Sequence, residues 1–224
     1  MMLRNSDIQA PLKKFFGYDS FRPLQEEIIR KVLDGEDTLV IMPTGGGKSI
    51  CFQIPALVFS GVTIVISPLI ALMKDQVDGL RANGISAAFY NSSQNTNEQS
   101  NILNEIREGT LRLLYVAPES LSLLSSILTE EFVSLIAVDE AHCISSWGHD
   151  FRPSYQRLSY LKVKLPKTPI IALTATADKA TREDIFVSYH IEGFEKAFTQ
   201  YFDIVKKQQV GDSLRTLYLL KSKR

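Results

Sequence analysis

Two short stretches hold the residues best suited to chemistry on a phosphate anhydride. The first is Met42-Pro43-Thr44-Gly45-Gly46-Gly47-Lys48-Ser49, which follows the apolar run Thr38-Leu39-Val40-Ile41. Consecutive glycines let a backbone turn tightly and aim its N–H groups at an anion with no Cβ in the way. A helix expected over 47–59 adds the positive end of its dipole. Lys48 would reach the outer phosphates as a point charge, and the Ser49 hydroxyl would be one ligand of a bridging Mg²⁺. Thr44, Gly45, Gly46, Gly47, Lys48 and Ser49 are therefore the candidate phosphate cradle. Met42 stands where the general Gly-x-x-x-x-Gly-Lys-Ser/Thr pattern has its first glycine. The plainer alternative is a Gly-rich turn with an exposed lysine, which the strand before and the helix after weigh against.

The second stretch is Leu135-Ile136-Ala137-Val138-Asp139-Glu140-Ala141-His142-Cys143. Four apolar residues followed by two carboxylates place Asp139 and Glu140 at the carboxyl end of a buried strand, where open α/β sheets bind ligands. Asp139 would hold Mg²⁺ through water, and Glu140 would orient and deprotonate the water that attacks a γ-phosphate. His142 suits a coupling role better than metal ligation, because the chain has only three histidines. It leads into a loop that carries the only tryptophan, Trp147, with Phe151 and Arg152 close behind. Aromatic faces stack on unpaired bases and arginine pairs with phosphate, so this loop could sense single-stranded nucleic acid. Burial of Trp147 and Phe151 in a core is the alternative.

Ahead of the cradle, Tyr18 offers a ring for stacking, Arg22 a flat cation, and Gln25 an amide able to pair with the edge of adenine. They lie between two helices expected within residues 8–35, the first ending at Gly17 and the second at Asp34-Gly35. From there β-rich runs alternate with helical ones. Residues 62–67, 86–90, 111–116, 132–138 and 169–173 read as strands, several apolar throughout, as in a parallel sheet buried on both faces. Helical stretches near 47–59, 69–83, 96–108, 119–128, 154–163 and 178–190 separate them. Ser67-Pro68-Leu69 opens a helix whose Lys74 and Gln76 could edge a phosphate track, and Thr174-Ala175-Thr176 follows the last of these strands. The fold expected is α/β, a three-layer α/β/α lobe with a mainly parallel central sheet. Residues 1–203 would form it, leaving 204–224 as a basic tail with a helix from Ser213, since Leu214, Leu217 and Leu220 recur every three residues.

The 224 residues, 45% hydrophobic and 22% charged, suit a globular domain, and no apolar run approaches the ~20 residues of a membrane span. Two cysteines are too few for a disulfide framework, and a structural zinc site would lack ligands, so a reducing cytoplasm is expected. Basic and acidic residues balance at 25 each, so any nucleic-acid contact must be local.

Taken together, these motifs resemble the first RecA-like lobe of RecQ-type DNA helicases, over roughly residues 8–203. Phe-Gly-Tyr with Phe-Arg-Pro-Leu-Gln is similar to that family's adenine motif, which implies base-side roles for Tyr18, Arg22 and Gln25. Met-Pro-Thr-Gly-Gly-Gly-Lys-Ser is similar to its motif I, and Asp-Glu-Ala-His-Cys-Ile-Ser-Ser-Trp-Gly-His-Asp-Phe-Arg-Pro is the most specific match. The resemblance implies ATP and Mg²⁺ as cofactors, a RecA-like P-loop NTPase lobe, and 3′-to-5′ unwinding of DNA in repair and recombination. It also implies that Trp147, Phe151 and Arg152 link DNA to hydrolysis, with nucleoid association in a bacterial cell. Such helicases need a second RecA-like lobe, and the ~48 residues after Thr176 are too few to build one. The expectation is a lobe that binds ATP and touches DNA weakly, unable to unwind alone. A non-catalytic ATP- or DNA-binding module and a lobe of an RNA helicase are the alternatives.

Overall fold

The computed structural model describes residues 6–91, 94–144, 152–176, 181, 202–209 and 216–222. The chain divides into two compact units, residues 1–141 with 167–176, and residues 142–166 with 177–224.

The first unit is built on six strands: β1 (Thr38–Ile41), β2 (Val62–Ile66), β3 (Ala87–Tyr90), β4 (Leu113–Val116), β5 (Val133–Val138) and β6 (Ile170–Thr174). They pair in the order β1-β6-β5-β2-β4-β3, with every ladder parallel. Parallel pairing requires a crossover between successive strands, and here the crossovers carry helices. These are α3 (Ile50–Val58) after β1, α4 (Ile70–Ala82) after β2 and α5 (Thr96–Arg107) after β3. One face of the sheet presents Val40, Val65, Leu113, Tyr115, Leu135, Ala137, Ile171 and Leu173 to Cys51 and Phe52 of α3 and to Met73, Val77 and Leu80 of α4. The alternate residues Ile64, Ile66, Leu114, Val116, Ile136 and Val138 are also wholly buried. Burial on both faces explains why these strands read as unbroken apolar runs. The three-layer α/β/α lobe expected from the sequence is the one observed.

Helices α1 (Ser6–Phe16) and α2 (Gln25–Leu33) attach to this layer through α3. Ile8, Leu12 and Ile29 form a second core with Ile50 and Ile54 of α3, which brings the 17–24 loop beside the start of α3. Helix α5 begins with a capping box: Asn95 accepts the Glu98 N–H at 2.9 Å, and Glu98 accepts the Asn95 N–H at 3.0 Å. Asn95→Ala is therefore expected to lower stability by about 1 kcal/mol in urea unfolding, and Asn95→Ser to recover most of it. The thiol of Cys51 lies fully inside the core, and burial pushes its pKa up to about 12. Because only the thiolate reacts, Cys51 should resist maleimide at pH 8 in the folded chain and label in urea, as read by mass spectrometry.

Three expectations need correction. The helix expected over 119–128 is a 3₁₀ segment, Pro118–Leu124, followed by turns; the buried positions keep a helical spacing, but Ser120, Ser122, Ser125 and Ser126 favour turns and caps over a regular helix interior. The helix expected over 154–163 is instead α6 (Pro153–Gln156), a 3₁₀ turn Arg157–Ser159, and α7 (Tyr160–Lys164), all in the second unit. The tail is not a helix. Strand β7 (Phe202–Gln209) pairs antiparallel with β8 (Thr216–Ser222), and the expected boundary at residue 203 falls inside β7. Thr216 and Tyr218 favour extended backbone, and a strand partner within reach outweighs the three-residue leucine spacing. The helix expected over 178–190 lies outside the described residues, apart from residue 181.

Candidate nucleotide and metal site

Parallel strands deliver all their carboxyl ends to one edge. That edge receives the 42–49 loop after β1, Thr174 to Thr176 at the end of β6, Asp139-Glu140 after β5 and Ser67-Pro68 after β2. The loop and the two acids are thus separated by β6 alone, about 10 Å between strand axes. The Met42 N–H donates to Thr174 O at 3.1 Å, and the Asp139 N–H donates to Ile66 O at 2.8 Å. The sheet therefore holds both stretches one residue beyond their strands. Met42 is buried in the core formed with Cys51 and Phe52, which accounts for an apolar residue in place of glycine there.

Within the loop, Gly45 and Gly47 have φ of 77° and 84°, a region that excludes most side chains. A Cβ on Gly46 would approach Pro43 O to 2.9 Å, and one on Gly47 would approach Gln25 Nε2 to 2.4 Å. The concavity is thus reserved by glycine at two successive positions. Backbone hydrogen bonds of helical type begin at once: Ile50 N–H to Gly47 O at 3.2 Å, Cys51 N–H to Lys48 O at 3.0 Å, and Gln53 N–H to Ser49 O at 2.9 Å. Hence α3 starts directly at the end of the loop and brings its N-terminus there.

Three expected side chains converge on this loop. Lys48 Nζ donates to Met42 O at 3.0 Å, Arg22 Nη1 donates to Gly45 O at 2.5 Å, and Gln25 Nε2 donates to Gly47 O at 3.0 Å. Gln25, only 3% exposed, also accepts the Arg22 N–H through Oε1 at 2.8 Å. Its amide is thus engaged with the phosphate loop, a tie the sequence reading of Gln25 as an adenine contact passes over. Tyr18 stands 53% exposed on the neighbouring loop, available for stacking. Among the described residues no three His, Cys, Asp or Glu side chains gather as a metal cluster. The oxygen donors at hand are the Ser49 hydroxyl and the Asp139 carboxylate, a set that suits a hard ion taking its other ligands from water and phosphate. Asp139 Oδ1 also accepts the Glu140 N–H at 3.0 Å, and Glu140 has φ of 48°. A non-glycine residue in that region costs on the order of 1–3 kcal/mol, so the turn that carries Glu140 is held by its surroundings. The Thr174 hydroxyl donates to Thr176 O at 2.9 Å, closing the β6 turn.

In the second unit, His142 Nε2 lies 4.0 Å from Cys143 Sγ, and the Arg152 N–H donates to Cys143 O at 2.9 Å. Trp147 and Phe151 lie outside the described residues.

A parallel sheet with a glycine-lined anion cradle at β1 and paired acids at β5 defines a P-loop NTPase lobe. The DEAD/DEAH box helicase model matches residues 22–185, and the chain belongs to that family. It is 55% identical over 187 residues to the ATP-dependent DNA helicase RecQ of Haemophilus influenzae, covering 83% of this chain and 30% of that protein. It is 59% identical over 176 residues to the Pasteurella multocida RecQ, covering 78% and 28%, and 51% identical over 197 residues to that of Bacillus subtilis, covering 86% and 33%. The chain therefore spans about a third of the length of these relatives. Among solved structures, a hypothetical ATP-dependent RNA helicase from Sulfolobus tokodaii superposes with a TM-score of 0.64 at 18% identity, covering 84% of this chain and 56% of that one. The Hef helicase domain of Pyrococcus furiosus gives 0.57 at 21% identity, covering 75% and 36%. These two likenesses speak for the fold alone. The RecQ-type resemblance read from the motifs is borne out by the sequence identities.

Proposed function

We propose that this chain is the ATP-binding lobe of a RecQ-type 3′-to-5′ DNA helicase, and that hydrolysis takes place at the edge shared by the 42–49 loop and Asp139-Glu140. The observation that carries the reading is the convergence of Arg22, Gln25 and Lys48 on a loop that stands one strand from those acids. In this reading Tyr18, Arg22 and Gln25 receive adenine, and the N–H groups of Thr44 to Ser49 surround the phosphates. Lys48 leaves Met42 O to meet them. Ser49 and, through water, Asp139 would hold Mg²⁺, which when bound would draw charge from the phosphate oxygens. Glu140 takes the proton of the attacking water. His142, and with it Trp147, Phe151 and Arg152, conveys contact with single-stranded DNA to Glu140. A second RecA-like lobe supplies the remaining charge at the transition state. No helix among the described residues is long and apolar enough to cross a membrane, and the proposed work on DNA belongs to the cytoplasm or nucleoid.

Titration of a fluorescent ATP analogue into the 224-residue chain, with and without single-stranded DNA, tests this. Expected is Mg²⁺-dependent binding that Lys48→Ala weakens by at least about tenfold, with no strand separation by the chain alone. Saturating nucleotide that fails to bind would leave a non-catalytic module as the better account.

A further inference from the structure

The amino ends of the strands gather at the edge of the sheet opposite the 42–49 loop, and a cavity of about 590 Å³ opens there, within the first unit. Its size falls in the range of small-molecule sites. Helix α1 supplies one wall with Pro11, Lys14 and Phe15, the last turn of α3 another with Leu57 and Val58, and Arg112, just before β4, a third. The remaining polar side chains of the lining are the hydroxyls of Ser86 and Thr110, and no carboxylate lines it among the described residues. Both cations face the apolar space without a counter-charge. Arg112 Nη1 donates to Phe59 O at 3.0 Å and to Ser60 O at 3.1 Å, which fixes the guanidinium. Its Nε and Nη2 have no partner among the described residues. Lys14 Nζ stands 4.7 Å from the centroid of the Phe15 ring, and neither cation pairs with a carboxylate among the described residues. Uncompensated charge in a concave apolar setting concentrates ions of opposite sign.

We propose that this cavity is a second ligand site, separate from the nucleotide edge, for a small organic anion with an apolar body. The body lies against Phe15, Leu57 and Val58. The acidic group, a carboxylate, sulfonate or phosphate, meets the Lys14 ammonium and the Nε and Nη2 side of Arg112, whose parallel N–H groups form a fork that fits two oxygens at once. An inorganic anion would leave the apolar walls wet, and a neutral hydrocarbon would leave the fork unpaired. The two halves of the lining therefore select an amphipathic anion together. Leu57 and Val58 stand at the opposite end of α3 from the phosphate loop, so occupancy does not require the nucleotide site.

The probe is anilinonaphthalene sulfonate, titrated by fluorescence into the 224-residue chain beside its uncharged analogue N-phenyl-naphthylamine, with native packing checked by near-UV circular dichroism. Expected is one saturable sulfonate site that saturating ADP with Mg²⁺ does not displace. Lys14→Glu reverses an exposed charge and should weaken the sulfonate by about tenfold while changing the uncharged amine by less than about twofold. Arg112→Lys keeps the charge, removes the fork and should weaken the sulfonate in the same selective way. Ala10→Trp places a ring at an exposed α1 position that lines the cavity and should exclude both probes. Sulfonate binding that survives in Ala10→Trp, or that the nucleotide displaces, puts the dye elsewhere and overturns the proposal. The same follows if either charge variant leaves the sulfonate untouched or weakens both probes alike. Absence of saturable sulfonate binding by the folded chain also overturns it.

Discussion

Gly47→Ala is expected to lose about 3 kcal/mol of stability and to weaken nucleotide binding by well over tenfold. Two separate costs add. At φ of 84° a Cβ meets the following carbonyl, which costs on the order of 1–2 kcal/mol. The same Cβ would stand 2.4 Å from Gln25 Nε2, so the Gln25 side chain must leave, and with it the bonds to Gly47 O and the Arg22 N–H. Displacing a packed, hydrogen-bonded side chain adds about 1–3 kcal/mol. Gly45→Ala is the control. Its φ of 77° carries the backbone cost, but nothing lies within 4 Å of the added Cβ. Urea unfolding of the two variants should therefore differ by about 1–3 kcal/mol, with Gly47→Ala the less stable. Equal losses would mean that the Gln25 tie contributes nothing to the loop. Nucleotide affinity should follow the same order, because Gln25 leads from the 17–24 loop to the cradle.

Glu140→Gln is expected to lower ATP turnover by about 10²–10⁴-fold while leaving nucleotide affinity within about twofold. The amide keeps the size and the acceptor oxygen of the carboxylate and loses only the capacity to take a proton. Glu140 also stands in the left-handed region, and its N–H is bonded to Asp139 Oδ1 at 3.0 Å, so a near-isosteric change should not move the turn. The measurement is single-turnover hydrolysis with the chain in excess over labelled ATP and with single-stranded DNA present, which reads even slow chemistry. Turnover unchanged in Glu140→Gln would remove Glu140 from the reaction. Binding lost together with turnover would instead point to a collapsed turn.

The fold class, and the place of the 42–49 loop and Asp139-Glu140 at strand ends, were legible in the sequence because both are local. Three glycines before Lys48-Ser49 favour a tight turn between a strand and a helix, and four apolar residues before Asp139-Glu140 favour a buried strand that ends at a polar edge. Uninterrupted apolar runs alternating with helical stretches leave a parallel sheet with both faces covered as the consistent architecture. What exceeds one element was not legible. The strand order β1-β6-β5-β2-β4-β3, which leaves only β6 between the loop and Asp139, depends on pairings as distant in sequence as Thr38 with Ile171. The hydrogen bond from Gln25 to Gly47 O is of the same kind. So is the β7–β8 pairing, where leucine spacing suggested a helix until a second strand was available to satisfy the backbone. Residue type and spacing along the chain decide which groups can turn, bury or ionise. Which of those groups meet is decided by packing across the sheet, since a strand's neighbours and a buried amide's partners are chosen by the whole core at once.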